Sequence, residues 1–211
     1  MQKIINTIPG YRVYEYLLVL SPHEELWNRI QKVKEEFAGK YECEQAKWGK
    51  AHITLANFVQ YEMMEERLLN RLRVVAMGTT PFKVELKDFG SFPSHTIYIN
   101  VLSKVAVQSL IKTVRTESQK LMKLDDDNKP HFIMEPHLTI ARKLKPWQYE
   151  NGWMEYSNKH FTGRFIAGGM TLLRRLAVES PDGPRMKYHA VANLQFENMP
   201  VLTKQGELFS F

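Results

Sequence analysis

An apolar run over residues 14–20, Tyr-Glu-Tyr-Leu-Leu-Val-Leu, reads as a strand halted by Ser21-Pro22. Beyond it the period changes. Leu26, Trp27, Ile30, Val33 and Phe37 recur at helical spacing up to Gly39, with Ser21 as the expected cap, Pro22 in the first turn and Glu24 three residues after the cap. A strand is predicted over 51–59 and a helix over 62–77, whose stripe of Met64, Leu68, Leu72 and Val75 ends at Gly78. Residues 82–86 and 96–101 alternate at period two around a Gly90-Ser91-Phe92-Pro93-Ser94 loop and form a hairpin-like pair. A third helix over 104–124 precedes the charged break 125–130, then come a strand over 137–142, a helix over 146–156, and strands over 161–176 and 188–196 joined by a Pro-Asp-Gly-Pro turn at 181–184. Strand, helix, strand, helix, strand pair thus recurs approximately in both halves. Helices spaced this way cover one face of a sheet and leave the other to line a cleft.

Two of the strands carry the same tetrapeptide pattern, His52-Ile53-Thr54-Leu55 and His137-Leu138-Thr139-Ile140, 85 residues apart. Side chains two apart on a strand share a face, so each copy presents a histidine and a hydroxyl together while its aliphatic residues pack behind. Two imidazoles across a cleft supply one general base and one general acid, because histidine exchanges its proton near neutral pH. A single His-x-Thr in a strand is ordinarily a half-buried histidine beside a β-former. The repeated context, a turn or break before each copy and small or apolar residues after it, speaks for duplication.

These paired motifs and the element order around them resemble the 2H phosphoesterases, the superfamily that includes the 2'-5' RNA ligase-like proteins and cyclic phosphodiesterases. The resemblance implies that His52 and His137 are catalytic and that Thr54 and Thr139 bind phosphate. It implies an α+β fold, bilobed and pseudo-two-fold duplicated, with antiparallel sheets lining a central cleft and helices on the outer faces. Residues 1–211 would form one such domain, each lobe contributing one His-x-Thr strand. It implies no metal or nucleotide cofactor. The activity expected is metal-independent hydrolysis of 2',3'-cyclic phosphates or 2'-5' linkages, with RNA ends or cyclic nucleotides as partners. A non-catalytic RNA-end-binding module on the same fold and an enzyme for a cyclic phosphate outside RNA remain alternatives. Near-symmetry leaves open which histidine is base; His137 as base and His52 as acid is the assignment adopted from the sequence.

Strand parity extends the site by inference. Uninterrupted alternation puts Ala56 and Phe58 on the His52 face, so Phe58 is a candidate wall of the substrate site. The same alternation puts Arg142 opposite His137, although an arginine often follows the second motif in the resembled family, and it is retained as a candidate phosphate contact. Tyr98 is a candidate stacking surface for a base, as are Tyr14, Tyr16 and the loop residue Phe92.

Composition narrows the class. The net charge of +6 and pI near 9.3 suit an anionic partner. One cysteine, Cys43, excludes an intrachain disulfide framework or a Cys-cluster zinc site and suits a reducing compartment. Residues 1–10 have no apolar core of the length a secretion signal needs, no run approaches a membrane span, and a soluble, cytoplasmic monomer is expected. His23, His95, His131, His160 and His189 form no zinc-binding spacing, the acidic 125–127 triplet reads as a solvated loop, and neither a glycine-rich phosphate loop nor a Gly-x-Ser-x-Gly elbow is present.

Overall fold

The computed structural model describes residues 8, 10–177 and 187–199. The turn expected at 181–184 and most of the N-terminal decapeptide lie outside them. The elements are β1 (Val13–Leu20), α1 (Glu24–Lys40), β2 (Ile53–Tyr61), α2 (Glu65–Met77), β3 (Phe82–Phe92), β4 (Thr96–Val101), α3 (Lys104–Met122), β5 (His131–Phe132), β6 (His137–Arg142), α4 (Pro146–Tyr156), β7 (Thr162–Ala167), β8 (Gly169–Leu176) and β9 (His189–Gln195). This is an α+β arrangement in which every strand pairing is antiparallel.

The strands form one continuous sheet, in the order β7-β3-β4-β6-β2-β1-β8-β9, with β5 added beside β2. The plural sheets expected from the sequence are therefore joined. The seam is the bridge Ile53↔Leu138 between the two His-x-Thr strands. Outward from that seam, each side reads His-x-Thr strand and then three further strands. Helix α1 packs behind β6 and β7 and α4 behind β4, while α3 packs behind β2, α2 behind β9, and α2 against α3. Thus the helix that follows β1 serves β6, across the seam, and the helix that follows β4 serves β2. Crossing connections of this kind tie the two halves together more firmly than the seam's own pairing does.

Several element boundaries differ from expectation. Helix α1 starts at Glu24 with His23 as its N-cap and no side-chain cap bond, so Ser21 does not cap it. Acidic Glu24 and Glu25 in the first turn instead complement the helix dipole. Strand β3 continues through Gly90 to Phe92, where a loop was expected, because Gly90 pairs with Tyr98. A Cβ at Gly90 would lie 2.6 Å from both the Tyr98 ring and the Asn100 side chain, so only glycine admits this strand crossing. The two-residue β5 was not anticipated, being too short to carry a period. The break before it is a turn organised by Asp125, whose Oδ1 accepts from the Asp127 and Asn128 amides at 2.9 and 2.6 Å.

The register reveals a β-bulge in each His-x-Thr strand. Along β1, Leu18 pairs with Ala56 but Val19 pairs with Thr54, so Leu55 is an extra residue. Along β4, Ile97 pairs with Ala141 but Tyr98 pairs with Thr139, so Ile140 is extra. Each bulge immediately follows the motif threonine and inverts the alternation downstream. Phe58 is therefore turned away from His52. It is 2% exposed and stacks on Tyr16 with centroids 5.1 Å apart and planes 8° from parallel, in the core under the helices. The bulge thus places Phe58 in the core and not in the wall of the substrate site that regular alternation predicts. Tyr14 and Tyr16 share that core side: Tyr16 donates to Glu65 at 3.0 Å and Arg174 lies 4.3 Å over the Tyr14 ring. Phe58→Ala should lower stability by ~3–5 kcal/mol in chemical denaturation, the cost of truncating a buried aromatic; a loss confined to ligand binding would contradict this placement.

Candidate functional site

The face of the sheet away from the helices carries His52, Thr54, His137 and Thr139, all half-buried. Antiparallel continuation of the Ile53↔Leu138 bridge sets His52 beside Thr139 and Thr54 beside His137. Each imidazole thus neighbours the hydroxyl of the other motif, and the four polar groups form a crossed square. Behind it, Ile53 and Leu138 are fully buried and fix the square from below.

The two histidines are held identically. His52 Nδ1 is 2.8 Å from the Lys50 carbonyl and His137 Nδ1 is 2.8 Å from the Glu135 carbonyl, each two residues upstream. A carbonyl can only accept, so Nδ1 carries the hydrogen in both rings. In the neutral imidazole Nε2 then keeps its lone pair free to face the sheet surface. Burial depresses the proton affinity of both rings below the ordinary histidine value. Lys34, Arg142 and His137 depress His52 further, whereas the Glu135 carboxylate partly restores His137. The two copies are equivalent in geometry and different in charge.

Inversion at the bulges also brings residues in. Arg142, which unbroken alternation would have placed behind the sheet, pairs with Thr96 on the same face as His137 and Thr139, and is exposed. Asn57 takes the corresponding place on β2, three residues after Thr54 as Arg142 is three after Thr139. Aligning the two motifs at the offset of 85 finds Asn57 from sequence alone, but its relevance requires the bulge. Tyr98 is on this face, 5.1 Å from the His137 ring, and Phe92 meets the same ring edge-on at 4.8 Å and 86°. Phe92 and Tyr98 contact each other at 4.7 Å. The β6 side of the seam is therefore aromatic, while on the β1 side Glu15 accepts from Arg175 Nε at 2.7 Å and Tyr188 packs over the Arg175 guanidinium at 4.7 Å.

Lys34 is a component that sequence reading missed. It is 4% exposed, buried behind the loop that precedes His52, and donates to the Gly49 carbonyl at 2.8 Å and the Trp48 carbonyl at 3.4 Å. Gly49 holds φ +81°, a left-handed conformation that suits glycine and turns its carbonyl onto the ammonium. Burial lowers the Lys34 pKa to about 8, with Arg142 adding to the effect. Lysine at a helical position facing the interior gives no pattern signal, since its stem is apolar and it passes for a surface residue.

Among the described residues no group of three or more His, Cys, Asp or Glu is placed to hold a metal ion, and no helix is long and apolar enough to cross a membrane.

Comparison with protein families matches residues 22–179 to the 2'-5' RNA ligase superfamily, well over half of the chain. Comparison with curated protein sequences finds no match. Among solved structures, TT0787 of Thermus thermophilus superposes with a TM-score of 0.62 at 17% identity, covering 87% of this chain and 98% of that one. LigT of E. coli complexed with 3'-AMP gives 0.58 at 14% identity, covering 89% and 99%, and the same protein complexed with NADP+ gives 0.57 at 14% identity over the same shares. At these identities the likeness shows the fold.

Removing the Lys34 charge should raise the His52 pKa and leave His137 nearly unmoved, because Lys34 acts on His52 as a like charge. Imidazole 1H–15N titration of wild type and Lys34→Met measures this; equal shifts in both rings, or none, would refute the coupling.

Proposed function

The chain belongs to the 2'-5' RNA ligase superfamily, and from that premise we propose that it is a metal-independent phosphodiesterase acting on 2',3'-cyclic phosphates or 2'-5' linkages of RNA ends and nucleotides. The observation that carries the reading is the crossed square: two imidazoles with their Nε2 atoms available, each beside a hydroxyl of the other motif. The solved complex of LigT with 3'-AMP agrees with a nucleotide ligand for this fold.

A phosphoryl group seated over the seam accepts hydrogen bonds from Thr54 and Thr139, and Arg142 adds a cation from the β6 side. One Nε2 takes a proton from water as its oxygen attacks phosphorus in line. The other imidazole, protonated, gives its Nε2 proton to the departing ribose oxygen as the P–O bond breaks. For a 2',3'-cyclic phosphate opened at the 3' oxygen, the products are a 2'-phosphate and a 3' hydroxyl. Each proton transfer contributes on the order of 10²–10⁴-fold, and fixed donors to the equatorial oxygens stabilise the charge that develops there.

The surrounding charge bears on the roles. Lys34 and Arg142 disfavour the imidazolium of His52, while Glu135 favours that of His137. The surrounding cations thus favour a neutral His52, the form a general base needs, and Glu135 favours a protonated His137, the form a general acid needs, which is the opposite of the assignment adopted from sequence. Both rings favour the neutral form without substrate. An anionic phosphate between them supplies the missing counter-charge, so binding and proton uptake are linked.

In EDTA, wild-type protein should hydrolyse nucleoside 2',3'-cyclic monophosphates or an RNA ending in a cyclic phosphate. His52→Ala and His137→Ala should each lose at least ~10²-fold in kcat. Activity that vanishes on chelation sinks the metal-free mechanism. If wild type and both variants bind the cyclic end equally and none cleaves it, the protein is an RNA-end-binding module.

Inorganic phosphate added to the free protein should raise the pKa of at least one imidazole, seen by the same NMR titration; an anion that leaves both unchanged does not sit between them.

A further inference from the structure

A second feature lies beside the seam. Strand β5 joins β2 on the flank where β6 has ended, pairing Asn57 with His131 and Ala56 with Phe132. Cross-strand partners share a face, so His131 stands next to Asn57 on the face of the two histidines. Around the β5 edge, on the helix side of the sheet, a groove of about 410 Å³ lies between β5 and the C-terminal half of α3, lined by Arg115, Lys120, Lys123, Lys129, His131 and Phe132 among others, with His131 reaching it from the site's face. None of its lining residues is acidic. In the adjoining turn Asp126 pairs with Lys123 at 2.5 Å.

The walls are anchored to the site. Gln60 of β2 donates to the Leu121 and Lys123 carbonyls at 2.7 and 3.1 Å, fixing the end of α3. On the other side Gln108 donates to the Met134 carbonyl at 2.8 Å and the Ile133 amide to the Leu55 carbonyl at 3.0 Å, fixing the segment between β5 and β6. Leu55 is the bulge residue that follows Thr54, so the groove and the motif share a backbone hydrogen bond. Asn57 lies three residues beyond Thr54, roughly 10 Å along the strand. A chain whose terminal phosphate rests over the seam passes Asn57 and His131 and then crosses the β5 edge to reach the groove.

We propose that this groove binds the phosphodiester backbone of a single-stranded RNA whose 3' end occupies the site, making an oligoribonucleotide end the preferred substrate over a mononucleotide. This rests on the phosphodiesterase reading and specifies its substrate. Cations spaced along a trough neutralise successive phosphates, and the Phe132 ring, with Arg115 5.9 Å above it, offers a flat surface to a base.

The test compares a ten-nucleotide RNA ending in a 2',3'-cyclic phosphate with the matching nucleoside 2',3'-cyclic monophosphate, for wild type and for Arg115→Ala/Lys120→Ala/Lys129→Ala. The triple variant should lose tenfold or more in kcat/KM on the RNA and stay within twofold on the mononucleotide. Its log–log salt dependence on the RNA should be shallower by about 2, the loss expected for three phosphate contacts on a single strand. A variant as active on the RNA as wild type overturns the proposal, and so does an equal loss on both substrates. Lys120→Glu/Lys129→Glu, which retains Arg115 over Phe132, repeats the comparison if the triple variant melts early. Should wild type cleave neither substrate, the phosphodiesterase reading fails while fluorescence anisotropy still judges the groove: tenfold weaker binding of the labelled RNA by the variant upholds it, and unchanged binding removes it.

Discussion

One backbone bridge, Ile53↔Leu138, decides whether this protein has a site at all. It joins strands that belong to opposite halves of the sheet, and its register determines that His52 meets Thr139 and Thr54 meets His137. A slip by one residue would turn each histidine toward the helices and bring Ile53 and Leu138 to the surface. What prevents the slip is burial of those two side chains, each fully enclosed, at about 25 cal/mol per Å² of apolar surface removed from water. Helices α1 and α3 reinforce it from behind, because each packs under the strand on the far side of the seam from the one it follows.

The bulges at Leu55 and Ile140 show how a local irregularity enlarges a site. Upstream of each bulge the strand presents its His and Thr, and one residue downstream the alternation is inverted. Arg142 and Asn57 consequently join the face that regular pleating would have denied them, and Phe58 joins the core. The two bulges occupy the same motif position, so the inversion is a shared property of both strands.

Symmetry of backbone is broken by charge and by rings. Both imidazoles donate Nδ1–H to the carbonyl two residues back, with the same 2.8 Å distance, yet His52 lies among cations and His137 beside a carboxylate and two aromatic rings. With two equivalent histidines the bound substrate alone would decide which is acid and which base. A buried lysine whose partners are carbonyls rather than a carboxylate leaves a positive charge acting on His52, and this asymmetry is invisible in the His-x-Thr letters.

From the sequence came the strands and helices with sustained periods, the two motifs and their common face, since hydrophobic period and i, i+2 geometry are local properties carried by the chain itself. Tyr98 was legible for the same reason. What only the tertiary structure decided was pairing: that the halves share one sheet, that β5 exists, that β3 runs through Gly90 against Tyr98, and that Arg142 faces His137 while Phe58 does not. A bulge is a mismatch between two strands, and Lys34 acts through a loop fourteen to fifteen residues away. Neither leaves a trace in a single segment, because each is a relation between segments that only folding brings into contact.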